Sequence, residues 1–126
     1  MKTARTDIGE SPDPHIGERL ELLGKETDPA FVREIVSQFL EEVTPTFRQL
    51  QEAFVSAEAK SVEVYSHKLK GAALNMGANT LASHLERMEH LARQADVPSA
   101  EALLDTVRTE CDRVCDYLRR LLAVPR

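Results

Sequence analysis

Residues 60–77, KSVEVYSHKLKGAALNMG, contain the pattern on which the predicted fold depends. At about 100° per residue, the apolar side chains of this stretch share one side of a helix: Val62, Tyr65, Leu69, Ala72, Ala73 and Met76. Such a stripe is typical of a helix that packs into a bundle. Gly77 follows the last apolar residue, where helices commonly end in a left-handed conformation. The pattern therefore predicts an amphipathic helix over residues 60–76.

Two helices are predicted before this one. Asp13-Pro14 and Asp28-Pro29 each combine a residue that caps helix N-termini with a proline at the first helical position. The first pair predicts a short helix closed by Gly24, and the second predicts a long helix. Pro45 is expected to bend the long helix, because proline removes a backbone donor and crowds the preceding turn.

Two further helices are predicted after residue 77. Apolar residues recur at helical spacing up to Ala95, and Asp96-Val97-Pro98 then interrupts the pattern before a last helix over residues 98–122. Short connections between long helices favour antiparallel neighbours. The predicted fold is all-α, an antiparallel up-down-up-down four-helix bundle over residues 13–122, with a short N-terminal helix capping one end. Residues 1–12 are predicted to form a flexible tail.

The composition agrees with one helical domain and argues against several functional classes. The chain has 126 residues, the length of a single domain. Its net charge of -5 and the absence of a basic stripe argue against a nucleic-acid partner. No apolar run approaches the roughly 20 residues of a membrane span, and the polar N-terminus lacks the apolar region of a signal peptide. We therefore expect a cytoplasmic protein without membrane or nucleic-acid contacts, and we expect it to be a monomer.

His67 is the residue of the central helix that packing does not explain. Its imidazole lies nearly opposite the apolar stripe, on the solvent side. Gly71 follows at i+4 on that side, although glycine in a helix interior costs about 1 kcal/mol relative to alanine. This glycine leaves bare space beside the ring, and Lys70 at i+3 places a cation nearby. The alternative interpretation is a solvated face with a stray histidine and a tolerated glycine.

These residue types suit phosphoryl transfer through histidine. A neutral imidazole nitrogen is nucleophilic near neutral pH and forms covalent intermediates. The phosphoryl group spreads negative charge over its oxygens, so the protein contributes mainly positioning and positive charge. Lys70 can supply this charge as a point donor, and Lys68 is a weaker candidate. Glu63, at i-4, is a candidate ion-pair partner of His67 or Lys70.

A small surface around His67 is predicted to contact a partner protein. Val64, Leu74 and Asn75 flank the ring on the outer face, and Lys68 stands to one side. Exposed apolar residues are common singly, but a cluster around a functional side chain indicates a docking surface.

The helix after Gly77 supplies further candidates for this surface. If the two helices are antiparallel about Gly77, Arg87 stands level with His67. The charged residues near this level are candidates to orient the ring or to meet the partner, and we assign two of them, Arg87 and Glu89, to the partner contacts. The alternative interpretation is an ordinary solvated charged face.

Residues 66–77, SHKLKGAALNMG, resemble the signature of histidine-containing phosphotransfer (HPt) domains, in which His-x-Leu-Lys-Gly precedes small residues and a helix-ending glycine. By this resemblance His67 corresponds to the phosphorylated histidine, Lys70 to the family's cation and Gly71 to the residue that leaves clearance. Helix order and spacing extend the resemblance over residues 14–122. Lys68 and Leu74 depart from the usual pattern, which has smaller residues there, and both changes bear on the choice of partner.

The resemblance implies a phosphocarrier of a two-component phosphorelay rather than an enzyme. Such a carrier accepts a phosphoryl group from an aspartate of one response-regulator receiver domain and passes it to another, and a hybrid sensor histidine kinase is a further expected partner. For this chain the resemblance implies no ATP-dependent kinase activity and no bound cofactor, with the divalent metal expected on the receiver. In some HPt domains a polar residue at the position matching Glu89 contacts the active histidine.

Three other functions remain open from the residues alone. The dimerisation helices of a sensor kinase also present a histidine, but an acidic residue typically follows it, whereas Lys68 follows here and no phosphate-binding glycine-rich loop is present. A regulatory bundle that docks on receivers without passing phosphate is the main alternative. A purely structural bundle is the third, and the grouping of His67, Lys70 and Gly71 argues against it.

Cys111 and Cys115 are the two cysteines of the chain, four residues apart in the last predicted helix. Cys111 belongs to a regular apolar seam and is predicted to lie in the core, where a free thiol behaves as a small hydrophobe, while Cys115 flanks the seam. Tetrahedral zinc needs four ligands and no matching histidine pair is present, so no metal site is predicted. A structural disulfide is not expected in a cytosolic setting.

Overall fold

The computed structural model describes residues 11–124, and all regular secondary structure within that range is helical. The helices are α1 Pro14–Glu26, α2 Pro29–Val55, α3 Ala59–Met76, α4 Asn79–Arg93, α5 Val97–Glu101 and α6 Leu104–Ala123. The predicted all-α class is confirmed. The predicted tail over residues 1–12 lies outside the described residues except for its last two positions.

Four of these helices enclose the core. α2 contacts α3 and α6, and α4 likewise contacts α3 and α6. Side chains from all four are fully buried between them, among them Val36, Leu50, Val62, Leu69, Leu85, Met88, Val114 and Leu118. Each such side chain contributes roughly 1.5–3 kcal/mol relative to an exposed one. The apolar stripes read from the sequence therefore form one continuous core.

Helix α1 is tied to the turn between α3 and α4. The buried carboxylate of Asp13 accepts hydrogen bonds from the backbone N–H of His15, at 2.9 Å, and of Thr80, at 2.8 Å. One side chain thus caps both α1 and α4. Burial raises the pKa of Asp13, but the hydrogen bonds from Thr80 and His15 outweigh it and leave that pKa below its usual value. Arg19 adds a second link, because its Nε donates to the backbone oxygen of Asn75 at 2.9 Å.

Gly77 ends α3 in the left-handed conformation, with φ 78°, as the sequence predicts. This conformation favours glycine because a Cβ would crowd the following carbonyl. The tertiary structure adds a second reason. A Cβ at this position would collide with the backbone oxygen of His15 and with the Cβ of Arg19, so glycine also allows α1 to pack against the turn.

The predicted end of α1 at Gly24 is wrong. The helix continues to Glu26, and Thr27 ends it with both its N–H and its hydroxyl donating to the backbone oxygen of Leu23, at 2.9 and 2.8 Å. A glycine costs a helix only about 1 kcal/mol, which is too little to stop it. The stronger signal is Asp28 before Pro29, since a residue that precedes proline is driven to extended backbone.

Two other predictions about helices differ from the structure or stay untested. The last predicted helix is in fact two, because Ala102 and Leu103 separate α5 from α6. Ala100 is fully buried in α5, and α5 packs against α4, a tertiary contact that helical periodicity does not report. α2 continues without interruption through Pro45, and the bend expected there stays a prediction.

Candidate functional site

His67 projects from the outer face of α3, with its side chain 66% exposed. The residue before it points the other way. Ser66 is fully buried, and its hydroxyl donates to the backbone oxygen of Val62 at 2.6 Å. The search for apolar residues did not identify Ser66 as a core position, because serine is polar. Its burial costs little, since its hydroxyl forms a hydrogen bond within its own helix. The predicted solvent-facing position of His67 is confirmed.

Glu89 of α4 lies beside the ring of His67. The Nδ1 atom of His67 is 2.9 Å from Oε2 of Glu89, whose side chain is nearly buried. An ionised carboxylate only accepts hydrogen bonds, so the pairing assigns the imidazole proton to Nδ1. The second ring nitrogen, Nε2, is then the one with a free lone pair. The contact therefore selects both the tautomer and the orientation of the ring.

Two cations keep this carboxylate ionised. Lys70 Nζ lies 2.9 Å from Oε1 of Glu89, and Arg93 Nη2 lies 2.8 Å from Oε2. Burial raises the pKa of Glu89, but the contacts from Lys70 and His67 outweigh it and leave the pKa below its usual value. The contact from Lys70 is the larger of the two, and its ammonium is the partner of the buried Oε1.

The register between α3 and α4 corrects two predictions. His67 faces Glu89, and Glu63 faces Arg93 at 2.9 Å, so the two helices run in opposite directions about Ala78. The prediction centred the two antiparallel helices on Gly77 and so placed Arg87 level with His67. The centre of the turn lies one residue later, at Ala78, and the residue level with His67 is therefore Glu89, two residues after Arg87. Glu63 pairs with Arg93, and more loosely with Lys60 at 3.6 Å; the predicted pairing with His67 or Lys70 is therefore wrong.

The space next to His67 on α3 is open. A Cβ at Gly71 would meet no atom within 4 Å beyond its own turn of helix. The fold therefore does not require glycine at this position, in contrast to Gly77. A glycine that packing does not need, at i+4 from an exposed histidine, agrees with the predicted clearance for an approaching partner.

A sequence model of the Hpt domain matches residues 34–117, more than half of the chain. This range contains α3 and α4 with His67 and Glu89. The chain belongs to the Hpt domain family.

A structural comparison finds the same fold. Histidine-containing phosphotransfer protein B (HptB) from Pseudomonas aeruginosa PAO1 is similar to this Hpt domain with a TM-score of 0.81 and 24% sequence identity. The similarity covers 90% of this chain and 98% of that chain. At this identity the likeness shows a shared fold and nothing finer. No match was found among curated protein sequences.

The outer face of this Hpt domain contains most of the residues assigned to partner contacts. Val64 and Leu74 are about half exposed, at 47% and 51%, although both are apolar. The other exposed members are Lys68, Asn75 and Arg87. Glu89 differs, because it is buried beneath His67. Its assignment to the partner contacts is wrong, and so is its interpretation as part of a solvated face. The other role considered for it, contact with the active histidine, agrees with the 2.9 Å distance between its Oε2 and Nδ1 of His67.

The two cysteines of the Hpt domain lie in the core. Cys111 and Cys115 are equally buried, so the prediction that Cys115 only flanks the seam underestimates its burial. Burial raises the pKa of Cys111 to about 12 and that of Cys115 to about 11, which disfavours the thiolate needed for metal binding or redox chemistry. Within residues 11–124 no cluster of three or more His, Cys, Asp or Glu side chains is arranged to hold a metal ion.

Proposed function

We propose that this protein is a phosphocarrier of a two-component phosphorelay, which accepts a phosphoryl group on Nε2 of His67 from a receiver aspartate and passes it to another receiver. The observation that carries the proposal is the contact between His67 Nδ1 and Glu89 Oε2 at 2.9 Å. It leaves a neutral, outward-facing Nε2 as the nucleophile. Membership of the Hpt family supports the same role.

The transfer step follows from this geometry. The Nε2 lone pair attacks phosphorus, the Nε2–P bond forms as the P–O bond to the aspartate breaks, and the aspartate leaves as a carboxylate. The ring of His67 gains positive charge during this step, because Nδ1 keeps its proton. Glu89, ionised and already hydrogen-bonded to Nδ1, stabilises that charge without having to reorganise. In the second transfer, the reverse chemistry moves the phosphoryl group from Nε2 to the aspartate of another receiver.

Lys70 and Gly71 have separate roles in this proposal. The Lys70 ammonium is bound to Glu89, with its side chain 20% exposed. From this position it balances the charge of the carboxylate before transfer, and we propose that it turns toward the phosphoryl oxygens afterwards. Gly71 leaves the space through which the receiver brings its aspartyl phosphate to Nε2.

The half-exposed apolar residues Val64 and Leu74 support a docking surface for receiver domains around His67, with Lys68, Asn75 and Arg87 contributing polar contacts. Apolar patches of this kind are typical of protein interaction sites. A hybrid sensor histidine kinase, through its own receiver domain, is a further proposed partner. The divalent metal required for the aspartyl chemistry is proposed to reside on the receiver.

The remaining parts of the proposal concern the whole chain. We propose an antiparallel up-down-up-down arrangement of α2, α3, α4 and α6, with α1 across one end. We further propose a cytoplasmic monomer with no ATP-dependent kinase activity, no cofactor and no nucleic-acid partner. No helix among the described residues is long and apolar enough to span a membrane.

The decisive experiment is incubation with a panel of phosphorylated receiver domains, followed by detection of acid-labile phosphate on this chain. We expect labelling of the wild type and its loss in His67→Gln, with the helical circular dichroism spectrum unchanged. His90→Gln is the matched control, since His90 is an exposed histidine of α4 and should leave labelling intact. Labelling of His67→Gln at the wild-type level would disprove the assignment, and receiver binding without labelling of the wild type would favour a docking module.

A further inference from the structure

Four charged or polar side chains form a hydrogen-bonded cluster between α3 and α4: Glu63, His67, Glu89 and Arg93. Glu63 and His67 are four residues apart on α3, and Glu89 and Arg93 are four residues apart on α4. Arg93 joins the two carboxylates: its Nε is 2.9 Å from Oε2 of Glu63 and its Nη2 is 2.8 Å from Oε2 of Glu89. The oxygen that accepts from Arg93 is therefore the same one that accepts from His67.

Two side chains donate hydrogen bonds to Oε2 of Glu89. One is His67 and the other is Arg93, whereas Oε1 pairs with the ammonium of Lys70 at 2.9 Å. Without Arg93, Oε2 keeps the bond to His67, and Oε1 keeps a rotatable ammonium that lacks the fixed directions of a guanidinium. A carboxylate held in this way can turn, so its lone pair is less closely aimed at Nδ1.

Arg93 is itself held in place from α3. A hydrogen bond from Arg93 keeps the pKa of Glu63 below its usual value, so Glu63 stays ionised and the guanidinium is held between two carboxylates. The planar fork of an arginine suits such a double contact, whereas a lysine offers one point charge. The side chain of Arg93 is more than half exposed, so its ion pair with Glu63 adds little to stability.

We propose that Arg93 is a positioning residue for phosphoryl transfer, which holds Glu89 so that the proton of His67 stays on Nδ1 and Nε2 stays free to react. Glu63 contributes by anchoring Arg93. The inference rests on the proposed function, since it assigns a role in the same transfer step. It predicts that loss of Arg93 changes the tautomer of His67 while the fold is retained.

The test is 15N NMR of the His67 imidazole in mildly alkaline solution, where imidazoles are neutral, with the resonance assigned by its absence in His67→Gln. We expect the wild type to have a protonated Nδ1 and an unprotonated Nε2. In Arg93→Met, which keeps the aliphatic stem, the two nitrogen shifts should move toward each other as the tautomers mix. Arg93→Lys should restore part of the wild-type signature, and Glu63→Gln should change it in the same direction as Arg93→Met.

Arg113→Met is the matched control. Arg113 has almost the same side-chain exposure, 57% against 56%, and also forms an ion pair within its own helix, but it lies on α6. It should leave the His67 shifts unchanged. Labelling by phosphoramidate, a small donor that needs no docking surface, gives a second readout. If half of the His67 population adopts the other tautomer in Arg93→Met, the labelling rate should fall about twofold.

A wild-type tautomer in both Arg93→Met and Glu63→Gln would overturn the inference. The tautomer is measured without any phosphate, so this outcome is independent of the transfer chemistry. If His67 accepts phosphate but its tautomer is unchanged in Arg93→Met and Glu63→Gln, only the inference about Arg93 fails. If the tautomer depends on Arg93 but no donor labels His67, the proposed function fails instead.

Discussion

Glu89 lies beside the ring of His67, the residue that we propose accepts the phosphoryl group. A solvent-exposed histidine without a partner samples both neutral tautomers, whereas Glu89 Oε2, 2.9 Å from Nδ1, selects one. The carboxylate is able to do this because it remains ionised although nearly buried, with Lys70 and Arg93 at 2.9 and 2.8 Å. In the proposed function, the orientation of the nucleophile and its electrostatic stabilisation thus depend on one buried side chain.

Lys70→Ala separates chemistry from docking at this scale. Loss of the ammonium removes a charge-assisted contact that is worth roughly 1.5–3 kcal/mol, so we expect phosphoryl transfer to slow about tenfold or more. Binding of an unphosphorylated receiver should change little, because Lys70 is mostly covered and paired with Glu89. Single-turnover transfer and equilibrium binding, measured on the same samples, check both expectations.

Leu74→Glu is the counterpart of Lys70→Ala. It places a negative charge on an exposed apolar residue, so it should raise the dissociation constant of the receiver more than it slows transfer within the complex. Equal losses in both quantities for both variants would show that the face cannot be divided into a chemical residue and a docking residue.

At the scale of the helix, Gly71 is a conformational cost that α3 bears without a structural need. Gly71→Gln should stabilise the protein by up to about 1 kcal/mol, because glutamine is a better helix former. The same change should slow transfer from a receiver, since the new side chain would occupy the space beside His67. Urea denaturation and single-turnover transfer are the two measurements.

Gly24→Gln provides the control for Gly71→Gln. Gly24 also lies within a helix and also has open space at its Cβ position, but it belongs to α1. It should give a comparable gain in stability with no change in transfer. If Gly71→Gln transfers at the wild-type rate, the clearance role of Gly71 is wrong.

At the scale of the whole molecule, Asp13 connects the first helix to the helix that contains Glu89. Its carboxylate caps both α1 and α4, and its pKa is lowered in the folded protein. A lowered pKa means that this contribution to stability is present above the unfolded pKa of about 3.9 and is lost as the pH falls through the folded value.

Asp13→Asn, a neutral mimic of the protonated acid, tests this linkage. The variant should be about 1 kcal/mol less stable than the wild type at neutral pH, and the difference should shrink toward zero in strong acid. Urea denaturation at several pH values measures it, with Asp28→Asn, at the exposed cap of α2, as the comparison. A difference that stays constant with pH would contradict the proposed role of the Asp13 charge.

The sequence by itself determined the features that depend on neighbours along the chain. The 3.6-residue period placed Leu69 inside and His67 outside, and Asp28-Pro29 marked the start of α2. Gly77 marked the end of α3, because glycine readily adopts the left-handed conformation in which helices commonly end. These features are local, because a helix sets the direction of each side chain from its own backbone.

The tertiary structure alone decided how separate helices meet. The antiparallel estimate about Gly77 placed Arg87 level with His67, and the family resemblance pointed to Glu89, but the pairing of His67 with Glu89 itself depends on a turn centred at Ala78. The bridge from Arg93 to Glu63 and the double cap by Asp13 likewise join residues far apart in the chain. Periodicity defines which face of a helix is apolar, but the register of one helix against another is set by how their side chains pack together.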